Sequence, residues 1–223
     1  MKVSFPKLVL ATALYLGCMI GQATAQPILK AIPSPIEPKI DGNLSEPCWR
    51  RIKPVHLTQR NPFEGAPPDQ KTDLMVIYTS DAIFIGLRLW DNEPQKIHRG
   101  LGRRDAPPPS DGITVLLDTM LSKNRAYAFS VNAAGVMQDG LFYNDTEFDA
   151  SWDGRWDVAT AIDEKGWIAE FRIPLSTITF QDQTKQNWGF CVSRWVQRNH
   201  QTSTWPPLPK DTNTFVSGFG LLT

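Results

Sequence analysis

Histidine and cysteine are scarce in this chain, with three of each among 223 residues. No serine nucleophile elbow, phosphate-binding loop or His-Glu-x-x-His pair occurs, and His56, His98 and His200 stand far apart, so hydrolysis by a catalytic triad or a zinc site is not expected. Outside the first 25 residues only Cys48 and Cys191 remain, neither with metal-ligand spacing. Both have apolar or aromatic neighbours, in Pro-Cys-Trp and Gly-Phe-Cys-Val, which leaves a disulfide and two buried thiols both open. Helical periodicity is nearly absent as well. Charge of one sign is not in excess: beyond residue 25 there are 21 basic and 23 acidic residues, since Lys2 and Lys7 are the only charges before it. A slightly acidic chain is a poor nucleic-acid partner.

The opening residues read as a secretory signal. Lys2 and Lys7 give a positive start, Leu8 to Gly21 an apolar core, and Ala23-Thr24-Ala25 a small-residue cleavage site, so residues 1–25 are expected to be removed. The apolar stretch Leu8 to Ile20 is 13 residues, short of the roughly 20 that a bilayer helix needs. No later apolar run reaches that length, so the remaining 198 residues are expected to be exported as one domain, to the periplasm, the outer-membrane surface or the medium. Residues 26–35, rich in proline, read as an extended lead-in, and 36–223 as the domain.

What the chain has in place of helices is a series of alternating or continuous apolar runs. Leu74 to Tyr78, Ile83 to Trp90, Ile113 to Leu117, Tyr127 to Asn132, Trp156 to Ile162, Trp167 to Ile173 and Gly189 to Val196 predict strands. Most of the 18 prolines and 15 glycines fall between these runs, in Pro67-Pro68, Pro107-Pro108-Pro109 and Asp111-Gly112. The expectation is an all-β, antiparallel, jelly-roll-like β-sandwich with at most one or two short helices, one of them at Pro174 to Ile178. Asp163-Glu164-Lys165-Gly166 separates two runs and predicts a hairpin. The second run has a mostly apolar face (Trp167, Ala169, Phe171, Ile173) and a mixed one (Ile168, Glu170, Arg172).

Between residues 139 and 157 acids and aromatics alternate, the composition from which a sugar or calcium site is made. Indole rings stack on the C–H face of a sugar, and polar side chains meet its hydroxyls. Trp152 and Trp156 can serve in this way, as can Trp205 ahead of Pro206-Pro207; core packing is the competing role for Trp156, Trp167, Trp188 and Trp195, which lie in strand-like runs. Asp145, Asp149 and Asp153, with Glu147 among them, offer closely spaced oxygen ligands that suit Ca²⁺, although the spacing is not that of an EF-hand. Two of the many acids could form a glycosidase pair, and Arg103-Arg104-Asp105 reads as a surface ion-pair cluster.

Five stretches taken together resemble a known family. They are Lys39-Ile40-Asp41-Gly42-Asn43-Leu44-Ser45-Glu46-Pro47-Cys48-Trp49, Leu87-Arg88-Leu89-Trp90-Asp91, Asp111-Gly112-Ile113-Thr114-Val115-Leu116-Leu117-Asp118, Trp152-Asp153-Gly154-Arg155-Trp156-Asp157, and Gly166-Trp167-Ile168-Ala169-Glu170-Phe171-Arg172-Ile173-Pro174. In order and spacing they resemble the family 9 carbohydrate-binding modules, in the branch found ahead of an outer-membrane-type β-barrel. The resemblance implies a sandwich that binds a poly- or oligosaccharide, works beside glycoside hydrolases in carbohydrate catabolism and holds calcium as a structural ion. It also implies an amide contact from Asn132. Where sugar-binding members carry a Trp and a charged pair, this chain has Pro107-Pro108-Pro109 and the uncharged Thr114 and Ser130. A structural domain serving a β-barrel without a sugar ligand, and a glycoside hydrolase, are the alternative readings.

Overall fold

The computed structural model describes residues 25–210 and 212–223; the expected signal segment lies almost wholly outside the described residues. In chain order the strands are β1 (Ile28–Leu29), β2 (Ile32–Pro33), β3 (Val55–His56), β4 (Thr58–Asn61), β5 (Thr72–Tyr78), β6 (Ala82–Trp90), β7 (Gly112–Asp118) and β8 (Ala126–Asn132). They continue as β9 (Met137–Tyr143), β10 (Glu147–Asp149), β11 (Asp157–Asp163), β12 (Gly166–Pro174), β13 (Trp188–Val196), β14 (Gln201–Trp205) and β15 (Gly220–Leu222). One short helix, α1 (Pro47–Arg50), and a few 3-10 turns complete the described residues; the helix expected near Ile178 is the 3-10 turn Leu175–Thr177.

The first sheet runs β1-β15-β13-β7-β8-β9-β10, with β14 pairing β13 and β4; the second runs β11-β12-β6-β5-β2, with β3 on β5. All pairs are antiparallel except two. The residues 26–35 lead-in supplies both exceptions, since β1 runs parallel to β15 and β2 parallel to β5. It is stitched to an edge of each sheet. The expected hairpin forms with Asp163 opposite Gly166.

Alternation along the strands sends one set of side chains between the sheets. Val76, Ile85, Leu87, Val115, Leu117, Phe129, Trp167, Phe171, Phe190 and Val192 form the main core, each at most 1% exposed. Each fully buried side chain of this size contributes about 1.5–3 kcal/mol. The outer face of the second sheet is covered in turn by residues 40–52, where Ile40, Leu44 and Trp49 pack on Met75, Ile77 and Phe84. The two thiols are free and belong to separate outer clusters, Cys48 with Trp49 and Cys191 with Leu208 and Phe219. Burial pushes the Cys191 thiol far above its ordinary range.

Candidate functional site

The outer face of the first sheet is covered only in part. One row of residues across it, Cys191, Leu116, Ala128 and Gly140, lies on paired positions of β13, β7, β8 and β9. Leu208, Val216 and Phe219 pack on the apolar members of that row, and the Phe148 ring fills the space a side chain on Gly140 would need. Two residues along each strand the composition changes. Ser193, Thr114, Ser130 and Gln138 form the next row, also in direct register across the same four strands. With strands roughly 4.8 Å apart, this polar row spans about 14 Å.

A groove of about 520 Å³ lies over this row. Its floor continues to a third row, Trp195, Gly112 and Asn132, where the missing side chain of Gly112 leaves space beside the half-buried indole. Pro107, Pro108 and Pro109 form one wall. That wall is tied down by the Gly100 N–H donating to Ser110 Oγ at 2.9 Å and by Asn132 Nδ2 donating to the Gly100 carbonyl at 2.8 Å. Gln197 borders the other side, and its Oε1 accepts the Trp195 Nε1–H at 2.6 Å. Thr114 and Ser130 hydroxyls share a 2.8 Å hydrogen bond. The lining offers hydroxyls, amides and one indole, and every side chain in it is uncharged. Such a surface makes neutral hydrogen bonds and one stacking contact.

The residues singled out from the sequence are distributed differently. Asn132 lines the groove, but its amide is already used: Oδ1 accepts from the Ala134 and Val136 N–H groups at 3.0 and 2.9 Å. Trp156 is a correction. It is 5% exposed and stacks on Phe171 at 5.6 Å with the rings 4° apart, so neither face is offered to a ligand. Trp205 is another, because it ends strand β14 and packs on Phe190 at 5.7 Å, 7% exposed, not out on the proline-rich loop. Trp152 is half-buried against Tyr127 and Phe129 and borders a separate, wider cleft with Asp81, Asp153, Arg155, Arg172 and Ser176.

The three acids read as calcium ligands are each engaged by the protein. Asp145 accepts from the Phe215 N–H, the Ser217 N–H and the Ser217 hydroxyl, Asp149 accepts from the Ser151 N–H, and Asp153 pairs with Arg104 at 3.0 Å. Among the described residues no group of three or more His, Cys, Asp or Glu is gathered together, so these three acids do not converge on one point. Arg104 is more than a surface ion-pair partner: its guanidinium also reaches the buried Asp139 at 2.7 Å and the Gly154 carbonyl at 2.9 Å.

Sequence reasoning missed Gln138, Ser193 and Gln197 and assigned Trp195 to the core. The signal was present in β13, where period two places Trp195 with Ser193 and Cys191 and opposite Phe190 and Val192.

No curated protein sequence matches the chain. Among solved structures, a family 9 carbohydrate-binding module from Caldicellulosiruptor kristjanssonii in complex with glucose superposes with a TM-score of 0.62 at 15% identity, covering 88% of this chain and 94% of its own. The same description with cellotriose gives 0.59 at 15% identity over 88% and 92%. A Bacteroides uniformis protein gives 0.69 at 13% identity over 89% and 99%. At these identities the likeness is one of fold, a β-sandwich. The sequence itself matches the carbohydrate family 9 binding domain-like family over residues 40–204, and the chain belongs to that family.

Proposed function

We propose that the protein is a non-catalytic carbohydrate-binding module that holds a poly- or oligosaccharide in the groove between the Pro107–Pro109 wall and Gln197. The observation that carries this reading is the in-register row Ser193, Thr114, Ser130 and Gln138 beside the Trp195 ring. Its hydroxyls and amide match sugar hydroxyls as donors and acceptors, and the indole matches a sugar's C–H face. Family membership and the glucose and cellotriose complexes of fold relatives support the same ligand class. The groove holds no carboxyl pair of the kind that glycosidic cleavage requires. Export, suggested by the basic and then apolar start of the sequence, would place the module where glycoside hydrolases meet external polysaccharide.

Affinity electrophoresis against a panel of polysaccharides tests the proposal. The wild-type chain is expected to be retarded by at least one glycan, and Trp195→Ala to lose about tenfold or more in affinity while keeping its far-ultraviolet circular dichroism and melting temperature. Retardation of the wild type by none of the panel would favour an interaction domain without a sugar ligand.

A further inference from the structure

The Trp195 ring, the single aromatic side chain of the groove, is steered by a chain of contacts that begins below the sheet surface. Its Nε1–H is held by Gln197 Oε1 at 2.6 Å, and Gln197 opens the 3-10 turn Gln197–Asn199 that follows β13. Two carboxylates anchor this turn. The Gln197 N–H donates to Asp111 Oδ1 at 2.9 Å, and Arg198 donates through both terminal nitrogens to Asp91, each at 2.8 Å.

Asp111 is itself immobilised. Its N–H donates to the His98 carbonyl and its own carbonyl accepts from the Ala133 N–H, both at 2.9 Å. The side chain is 0% exposed and Oδ2 has no hydrogen-bond partner. Burial pushes this carboxyl above the ordinary range, against the pull of the Gln197 N–H and the charges of Arg194 and Arg198. Arg194, adjacent to Trp195 in β13, is buried too, and donates to the Gln70, Lys71 and Trp90 carbonyls and to Thr72 Oγ1. A buried carboxyl with one unpaired oxygen costs folding stability.

We infer that Asp111 is a positioning residue of the groove, fixing the plane of the Trp195 ring through the Gln197 turn. Its purpose rests on the glycan-binding reading, but its geometry does not. The outer torsion of an aromatic side chain is broad, so without the Gln197 acceptor the ring explores a range of planes. Stacking then spends part of its free energy on ordering the ring, and affinity falls.

The test uses protein labelled with 5-fluorotryptophan, with the Trp195 ¹⁹F resonance assigned by Trp195→Phe. In the absence of glycan, Asp111→Ala and Gln197→Leu are both expected to shift and broaden that resonance and leave the other seven in place. Asp111→Asn keeps an acceptor oxygen for the Gln197 N–H and is expected to bring the resonance back toward its wild-type position. With a glycan retained by the wild type, the dissociation constant should rise about tenfold in the first two variants and recover most of that loss in Asp111→Asn. An unmoved Trp195 resonance in folded Asp111→Ala would overturn the inference, as would one that Asp111→Asn displaces equally. If Asp111→Ala does not fold, Gln197→Leu and Asp111→Asn decide by the same criteria. A wild type that binds no glycan sinks the binding reading alone, because the unliganded spectra still judge the positioning role.

Discussion

Glu170 lies on the face of β12 that alternation marks as mixed, yet it is 0% exposed. Its two carboxylate oxygens accept four hydrogen bonds, from the Asp41, Gly42 and Asn43 N–H groups at 3.2, 2.7 and 3.0 Å and from Trp49 Nε1 at 3.1 Å. Residues 40–52 close over it, and Gly42 at φ +80° makes the turn that aims three successive N–H groups at one carboxylate. Glu170→Ala would leave the buried Gly42 N–H and Trp49 indole N–H without an acceptor, while the Asn43 N–H keeps Asp41 Oδ1, and is expected to destabilise the fold by about 3 kcal/mol in urea titration. Burial is the largest influence on this group and holds its pKa above the ordinary 4.5, against the opposing N–H bonds. A raised folded value means that the folded chain binds the proton more tightly than the unfolded chain does. Its contribution to stability therefore declines as pH climbs from about 4.5 through the folded value, and melting curves of Glu170→Gln should lack that portion of the decline. The Asp-Gly, Trp and Glu of this assembly were all visible in the sequence. That they meet was not, because Glu170 is 121 residues from Trp49.

Among elements, those specified by local pattern were legible. The strands β5 to β8 and β11 to β13 match apolar runs in the sequence to within a few residues, and the β11–β12 turn falls where Gly166 is found. Gly166 sits at φ +132°, and a Cβ there would collide with the Leu89 carbonyl oxygen, so the hairpin and the neighbouring strand both require glycine. Short strands without an apolar run, such as β4 (Thr-Gln-Arg-Asn) and β10 (Glu-Phe-Asp), left no comparable trace. The pairing of the lead-in was equally quiet, since its partners β15 and β5 lie far along the chain. Its removal exposes an edge on each sheet. A chain beginning at Glu37 is expected to melt several degrees below the chain beginning at Gln26, by differential scanning calorimetry, and to aggregate more readily.

At the scale of the molecule, the groove is a matter of coverage. The C-terminal segment and Phe148 take one half of the outer sheet face and leave the polar row beside Trp195 open. Because that lining is uncharged, glycan affinity should change less than about twofold between low and high salt in isothermal titration calorimetry, whereas recognition of an anionic chain by Arg or Lys would weaken steeply. Period-two hydrophobicity and turn residues determined by themselves the all-β class, most strand positions, the hairpin and the family motifs, because each depends on neighbours in sequence. Which indoles are walled in, which one faces the groove, and what each acid pairs with were decided only by the tertiary structure. Burial is set by what the far parts of the chain lay over a strand, and a residue's own surroundings in sequence do not carry that information.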